Sequence, residues 1–290
     1  MRRYARLAAF VVVVASLFVG RSASAQVVDL SGVWAPIMHE DAPERAGGPE
    51  VGDYLGLPLT DAVRLRADSW DASLLTLPEH QCKPHPSTYG FRGVGNLRIW
   101  NDVDDATQNI IKINTQIQWM EQKREIWMDG RAHPPAYAPH TWQGFSTGEY
   151  RQGQLIVRTS HLKAGWVRRN GVVLSDQAVM EERFLRHNDL ITHVYLITDP
   201  YYLSEPLIKT SGFRQTNQVT LAPYPCESVE EVDRARGIVP HHLPGANPYL
   251  HEFADRFKLP YEATRGGAET ALPEYAKKIA TPARTAPASR

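Results

Sequence analysis

The sequence predicts a mainly β protein, an antiparallel barrel with a few peripheral helices, with a two-sheet β-sandwich as the alternative. Three observations lead there. A two-residue hydrophobic period sets in at Asn96 and returns in run after run as far as Thr216. Short turn signals separate the runs, the strongest being Asn170-Gly171. No helical pattern intervenes, which disfavours a parallel sheet, because parallel neighbours need long crossovers.

Taken in order, residues 1–25 begin with Arg2, Arg3 and Arg6, continue in an apolar run from Leu7 to Gly20, and end in Ser-Ala-Ser-Ala. That order predicts a secretory signal peptide cut between Ala25 and Gln26. The apolar run falls short of the roughly 20 residues that span a bilayer. Residues 26–95 are expected to form an N-terminal arm with one helix. Residues 28–34 make a short strand, residues 36–58 are loaded with Pro and Gly, and Thr60 caps a helix that puts Val63, Ala67 and Trp70 on one stripe. This helix is expected to cover an opening or edge of the strands beyond it.

The barrel domain is expected over residues 96–226. Leu97 and Ile99 alternate with Arg98 and Trp100, and Ile111, Ile113 and Ile117 with Lys112, Asn114 and Gln116. Further strands are expected at residues 122–128, 145–150, 154–160, 177–186, 190–198 and 205–216, giving about eight to ten in all, with Asn170-Gly171 at the tip of a separate hairpin. A meander of this kind hides its edges by closing, as in lipocalin-like, calycin-type barrels with an internal cavity. Stacking into two sheets is the alternative. Residues 227–263 are expected to be a C-terminal helical segment, with helices at 228–236 and 248–258, and residues 264–290, rich in Ala, Thr, Arg and Pro, a disordered tail.

With 290 residues, 42% of them hydrophobic, the chain can build a proper core. Its 32 basic residues lose four arginines with residues 1–25, leaving 28 against 32 acidic ones and a net charge of −4. That balance points to neither a nucleic acid nor an anionic membrane surface as partner. It leaves the oligomeric state open. The two cysteines, Cys82 and Cys226, are expected to pair in an oxidising compartment, since no CxxC or Cys-His spacing makes them metal ligands.

Alternation makes one sharp statement about side chains. If Asn188-Asp189 is a two-residue turn, Glu182 lies opposite Tyr195 and Phe184 opposite His193, all on the apolar face. A carboxyl group among Met180 and Phe184 would be desolvated and its pKa raised towards the range of a general acid or base. The structural alternative pairs Glu182 with an arginine such as Arg98 or Arg214. A second cluster comprises Asp129 and His133, with His140 and His161 as companions and proton partners at a cavity mouth; the bland role for Asp129 is to accept backbone N–H groups of its turn. Trp142, Trp166, Tyr202, Tyr195 and His193 are candidate walls of a ligand site. No nucleophile, dinucleotide or kinase motif is found, and no metal or cofactor is expected.

Several pieces resemble a large group of secreted bacterial proteins of uncharacterised activity. They are residues 29–34 (DLSGVW), Pro58-Leu59-Thr60, Cys82-Lys83-Pro84, residues 128–131 (MDGR) with His133-Pro134, Thr141-Trp142 with Gly144 and Gly148, Leu155-Ile156-Val157, Glu182-Arg183-Phe184, and Asp199-Pro200 with Tyr202. The chain departs from the group at residues 150–154, where a Trp-Glu-Gly-Asp turn is usual, and at His161, where a glycine is. The resemblance implies a compartment and no particular reaction. The expectation is therefore a secreted or periplasmic barrel enclosing a small apolar or aromatic molecule, as a cofactor-independent lyase, hydratase or isomerase. A non-catalytic ligand- or protein-binding envelope module, working through the loop at residues 129–148, is the alternative, and metal binding by loop histidines a third.

Overall fold

The computed structural model describes residues 28–37, 49–92, 94–218, 221–229 and 232–280; the expected signal peptide lies outside them. Nine strands close into one barrel. They are β1 (Gly32–Ile37), β2 (Leu97–Val103), β3 (Ile110–Ile117), β4 (Lys123–Trp127), β5 (Phe145–Arg151), β6 (Gln154–Ser160), then, beyond a small two-stranded sheet of β7 (Gly165–Trp166) and β8 (Val173–Leu174), β9 (Val179–His187), β10 (Leu190–Thr198) and β11 (Leu207–Thr216). Closure, not stacking, is the solution taken. β1 lies between β2 and β11 and pairs antiparallel with both, so no edge is left open.

The barrel is mixed where a wholly antiparallel one was expected. β4 and β5 run parallel, Ile126 beside Ser146 and Trp127 beside Thr147. Parallel neighbours need a return connection along the barrel wall, and the loop from Met128 to Gly144 supplies it. Asp129-Gly130 therefore opens this long return and does not close a hairpin.

Inward residues form two apolar clusters with a polar layer between them. One gathers Trp34, Leu97, Ile113, Ile126, Phe184 and Phe213; the other gathers Met180, Tyr195, Ile197 and Leu207 with residues from outside the barrel. Along β9 the order is Met180, Glu182, Phe184, and along β11 Leu207, Ser211, Phe213, so Glu182 and Ser211 fall between the clusters.

The N-terminal segment seals the barrel. Helix α1 (Asp61–Asp68) buries Val63 and Ala67, with Trp70 just beyond, against the second cluster. Thr60 precedes it without capping it; its hydroxyl donates to the Tyr201 carbonyl at 2.8 Å. After α2 (Pro78–Gln81) the chain dives inward, and every residue from His85 to Arg92 is buried, including the single turn α3 (Ser87–Gly90). Phe91 ends this plug. Its ring lies 5.1 Å from His193, 6.0 Å from Phe184 and 6.2 Å from Phe213, so the space expected to be a ligand cavity is filled by the chain itself.

Cys82 and Cys226 form the expected disulfide, which ties the plug to the chain beyond β11. A Cys82→Ser/Cys226→Ser variant is expected to lose about 4–5 kcal/mol in urea unfolding, the chain-entropy value for a closed loop of 144 residues. A loss under about 1 kcal/mol would mean that the reduced, unfolded chain keeps structure that already holds the two ends near each other.

Two C-terminal expectations are corrected. The described part of residues 228–236 is not helical. Residues 264–280 are folded. Helix α4 (Glu252–Phe257) is followed by helix α5 (Pro273–Ala280), whose Tyr275 is buried and donates its hydroxyl to the Ala263 carbonyl at 2.8 Å. The composition that marked a loose tail is interrupted by one anchoring ring.

Candidate functional site

Three groups of side chains come together. The first is inside the barrel. The β9–β10 register pairs Glu182 with Tyr195 and Phe184 with His193, as alternation predicts. Glu182 is fully buried, and its partner is Arg124 of β4, with neither Arg98 nor Arg214 involved. Arg124 Nη1 donates to Glu182 Oε1 at 2.9 Å, while Nη2 donates to Oε2 and to Thr159 Oγ1. Arg124 Nε donates to Ser146 Oγ at 3.1 Å. His193 Nε2 meets Glu182 Oε1 at 2.9 Å, and because an ionised carboxylate only accepts, this nitrogen carries the proton.

Burial alone pushes the Glu182 carboxyl up. The Arg124 charge and its hydrogen bonds, joined by the bond from His193, more than reverse that and hold it at about 2. Glu182 is thus a permanent carboxylate near neutral pH, contrary to the raised pKa expected of it. Ionised, it has no proton to give as a general acid, and its oxygens are taken up by Arg124 and His193, which makes it a poor base. Tyr195, also fully interior, stacks on His193 at 5.1 Å.

The second group is the histidine cluster, which the structure does assemble, but on the other side of the wall. Ser146 and Thr159 are buried inward, whereas Thr147 and Ser160, next in sequence, are part-exposed on the outer face. His133 sits between these two hydroxyls, Nδ1 2.6 Å from Ser160 Oγ and Nε2 2.9 Å from Thr147 Oγ1. Ser160 Oγ also meets His161 Nδ1 at 2.8 Å, and His161 Nε2 meets the Pro135 carbonyl at 3.0 Å. A carbonyl only accepts, so His161 Nε2 carries a proton. With neutral rings the bonds then run in one direction, from Thr147 to His133 to Ser160 to His161 to Pro135. Burial, then the nearby Arg158 and His161, lowers the His133 pKa, which favours this neutral arrangement. The network laces the long return loop to the barrel, and His140 joins through the Leu162 carbonyl at 2.9 Å.

His161 adopts φ +57°, the left-handed region where a glycine is more usual. The structure does not bring His133 or His161 to Glu182. Asp129 plays its bland role, accepting from the Arg131 backbone N–H at 3.2 Å and its guanidinium Nε at 2.9 Å.

The third group lies on the flank, outside the barrel. Trp70, just after α1, and Trp166 of β7 meet edge to face at 4.9 Å, and His80 lies 6.2 Å from each ring. Hairpin β7–β8 brings Trp166 there because Gly171, at φ +93°, lets the turn press on Trp70; a Cβ at that position would lie 2.5 Å from the Trp70 Cβ. The two indoles line a cleft of about 400 Å³ that Arg66 and Lys83 also line. Arg66 Nη1 donates to the Tyr202 hydroxyl at 3.1 Å, which places Tyr202 behind this cleft. Trp142 stands on the far side of Lys83, with the Lys83 and Lys163 ammonium groups 5.9 Å and 5.3 Å from its ring centre.

Of the residues expected to form one site, Glu182, His193 and Tyr195 share the interior, Asp129, His133 and His161 belong to the return loop and the outer wall, and Trp166 and Tyr202 flank the cleft. Sequence reading missed Arg124, Phe91 and the meeting of Trp70 with Trp166. Among the described residues, no three His, Cys, Asp or Glu side chains gather as a metal set would.

Fold and sites together define a closed, self-plugged β-barrel with an ion-paired interior and an aromatic cleft on its flank. Comparison of the chain with family models, with curated proteins and with solved structures finds no match in any of the three.

Proposed function

We propose that this is a non-catalytic binding protein of the cell envelope that takes a small aromatic or apolar molecule in the Trp70–Trp166 cleft, not inside the barrel. The observation that carries the reading is the cleft itself. Two indoles at 4.9 Å form an apolar corner in a space of about 400 Å³, within the range of small-molecule pockets. Lyase or isomerase chemistry at Glu182 has less support, since Phe91 fills the space beside it and Arg124 keeps it ionised. The disulfide, the secretory order of residues 1–25 and the resemblance to secreted bacterial proteins support a periplasmic or secreted location. Among the described residues, no helix is long and apolar enough to cross a membrane.

The test is calorimetric titration of the purified protein with a panel of one- and two-ring aromatic compounds, acids and neutral amides alike. At least one is expected to bind, to be recovered chemically unchanged, and to lose tenfold or more in affinity when the exposed cleft residue Ala164 is replaced by Phe. Binding that Ala164→Phe leaves intact, or conversion of the compound, would remove the reading.

A further inference from the structure

We infer that the cleft selects an aromatic anion, its ring against Trp70 and Trp166 and its carboxylate between Arg66 and Lys83. This rests on the binding reading above and deepens it.

The first observation is charge. Arg66 and Lys83 both line the cleft, and among the described residues no Asp or Glu lines it with them. Neither cation is ion-paired within the described chain: Arg66 is hydrogen-bonded to a phenol, and Lys83 faces the Trp142 ring. Of the acids on the neighbouring segments, Glu79 is ion-paired with Arg234, and Asp71 accepts from the Ser73 backbone N–H at 2.9 Å. Two like charges facing a common space without a counterion favour an anion there. Lys83 feels the strain: partial burial, and then the Arg66 charge, lower its pKa.

The second observation is an unmet donor. Trp70 is only 8% exposed, and its Nε1–H finds no acceptor among the described residues. A buried N–H without a partner costs free energy, and a ligand oxygen in the cleft that this ring lines can supply the acceptor. His80, whose Nδ1 is likewise buried without a partner, adds a second polar atom on the same wall. The third observation is shape. Edge-to-face indoles offer a flat apolar corner that a spherical inorganic anion cannot use, whereas an aromatic ring can.

The probes are 2-naphthoate and 2-naphthamide, which share a ring system and differ in charge. Calorimetry on the purified protein at low ionic strength is expected to show naphthoate binding at least tenfold tighter than naphthamide. Added salt should narrow the gap. Arg66→Gln and Lys83→Gln should each lower the acid-to-amide ratio at least threefold, and together remove it. The double variant should still bind naphthamide, with a smaller loss of affinity than for naphthoate, which shows the cleft intact. Equal binding of acid and amide by the unaltered protein, or a ratio that survives the double replacement, overturns the anion inference and leaves the aromatic cleft standing. If no aromatic compound binds at all, both fall.

Discussion

Replacing Arg124 by methionine is expected to cost about 3–5 kcal/mol in chemical denaturation, because it leaves the fully buried Glu182 carboxylate without its counter-charge. The double variant Arg124→Met/Glu182→Gln should recover much of that loss, since removing both charges also removes their desolvation. The pH dependence provides an independent check. In the unaltered protein the Glu182 carboxyl falls from an ordinary 4.5 to about 2, so its contribution to stability is full above about 4.5 and is lost as pH falls towards 2. Without Arg124, burial acts largely unopposed and lifts the carboxyl above its unfolded value, so acidification should protect the variant relative to neutral pH. Opposite slopes of stability against pH below 5 are expected for the two proteins. Parallel slopes would mean that Arg124 does not set the charge of Glu182.

Phe91→Ala is expected to cost about 3–5 kcal/mol and to leave a hole among Phe184, His193 and Phe213. A hole left by a phenyl ring among these rings has the shape of benzene, which an engineered core cavity can accept. The variant should therefore gain thermal stability in the presence of benzene, while the unaltered protein, with the ring in place, should not. Benzene stabilising both equally would show that the interior already has room beside the plug.

Side-chain alternation governs whatever the sequence makes legible. Glu182 opposite Tyr195 and the stripe of Val63, Ala67 and Trp70 follow from side-chain period and need no knowledge of distant contacts, whereas closure over stacking rests on the distant pairing of β1 with β11. Arg124 is within reach of the same rule. It stands two positions before the fully buried Ile126 on β4, so it shares that inward face. The expected partners Arg98 and Arg214 lie on outward positions and are exposed.

Phe91 is out of reach, because residues 85–92 carry no period and their burial depends on a barrel formed by later residues. Backbone bonds to other segments hold the plug, such as Ser87 N–H to the Trp142 carbonyl at 3.1 Å. The Trp70–Trp166 corner likewise needs the β7–β8 hairpin docked on α1, which no local signal announces. The parallel pairing of β4 with β5 is equally out of reach, because a long loop after Asp129 fixes neither the direction nor the neighbour of the strand that follows it.

Closure of the wall by β1 has a consequence for how the molecule is made. Val33 zips against Thr216, a partner on the last strand of the barrel, with Trp34 also facing Leu97. A chain emerging amino end first holds its closing staple idle until the last ribbon is complete. Until then β2 and β11 present two raw borders to any neighbour, a slow, non-local final step in which crowding of half-built copies would favour clumping over closure.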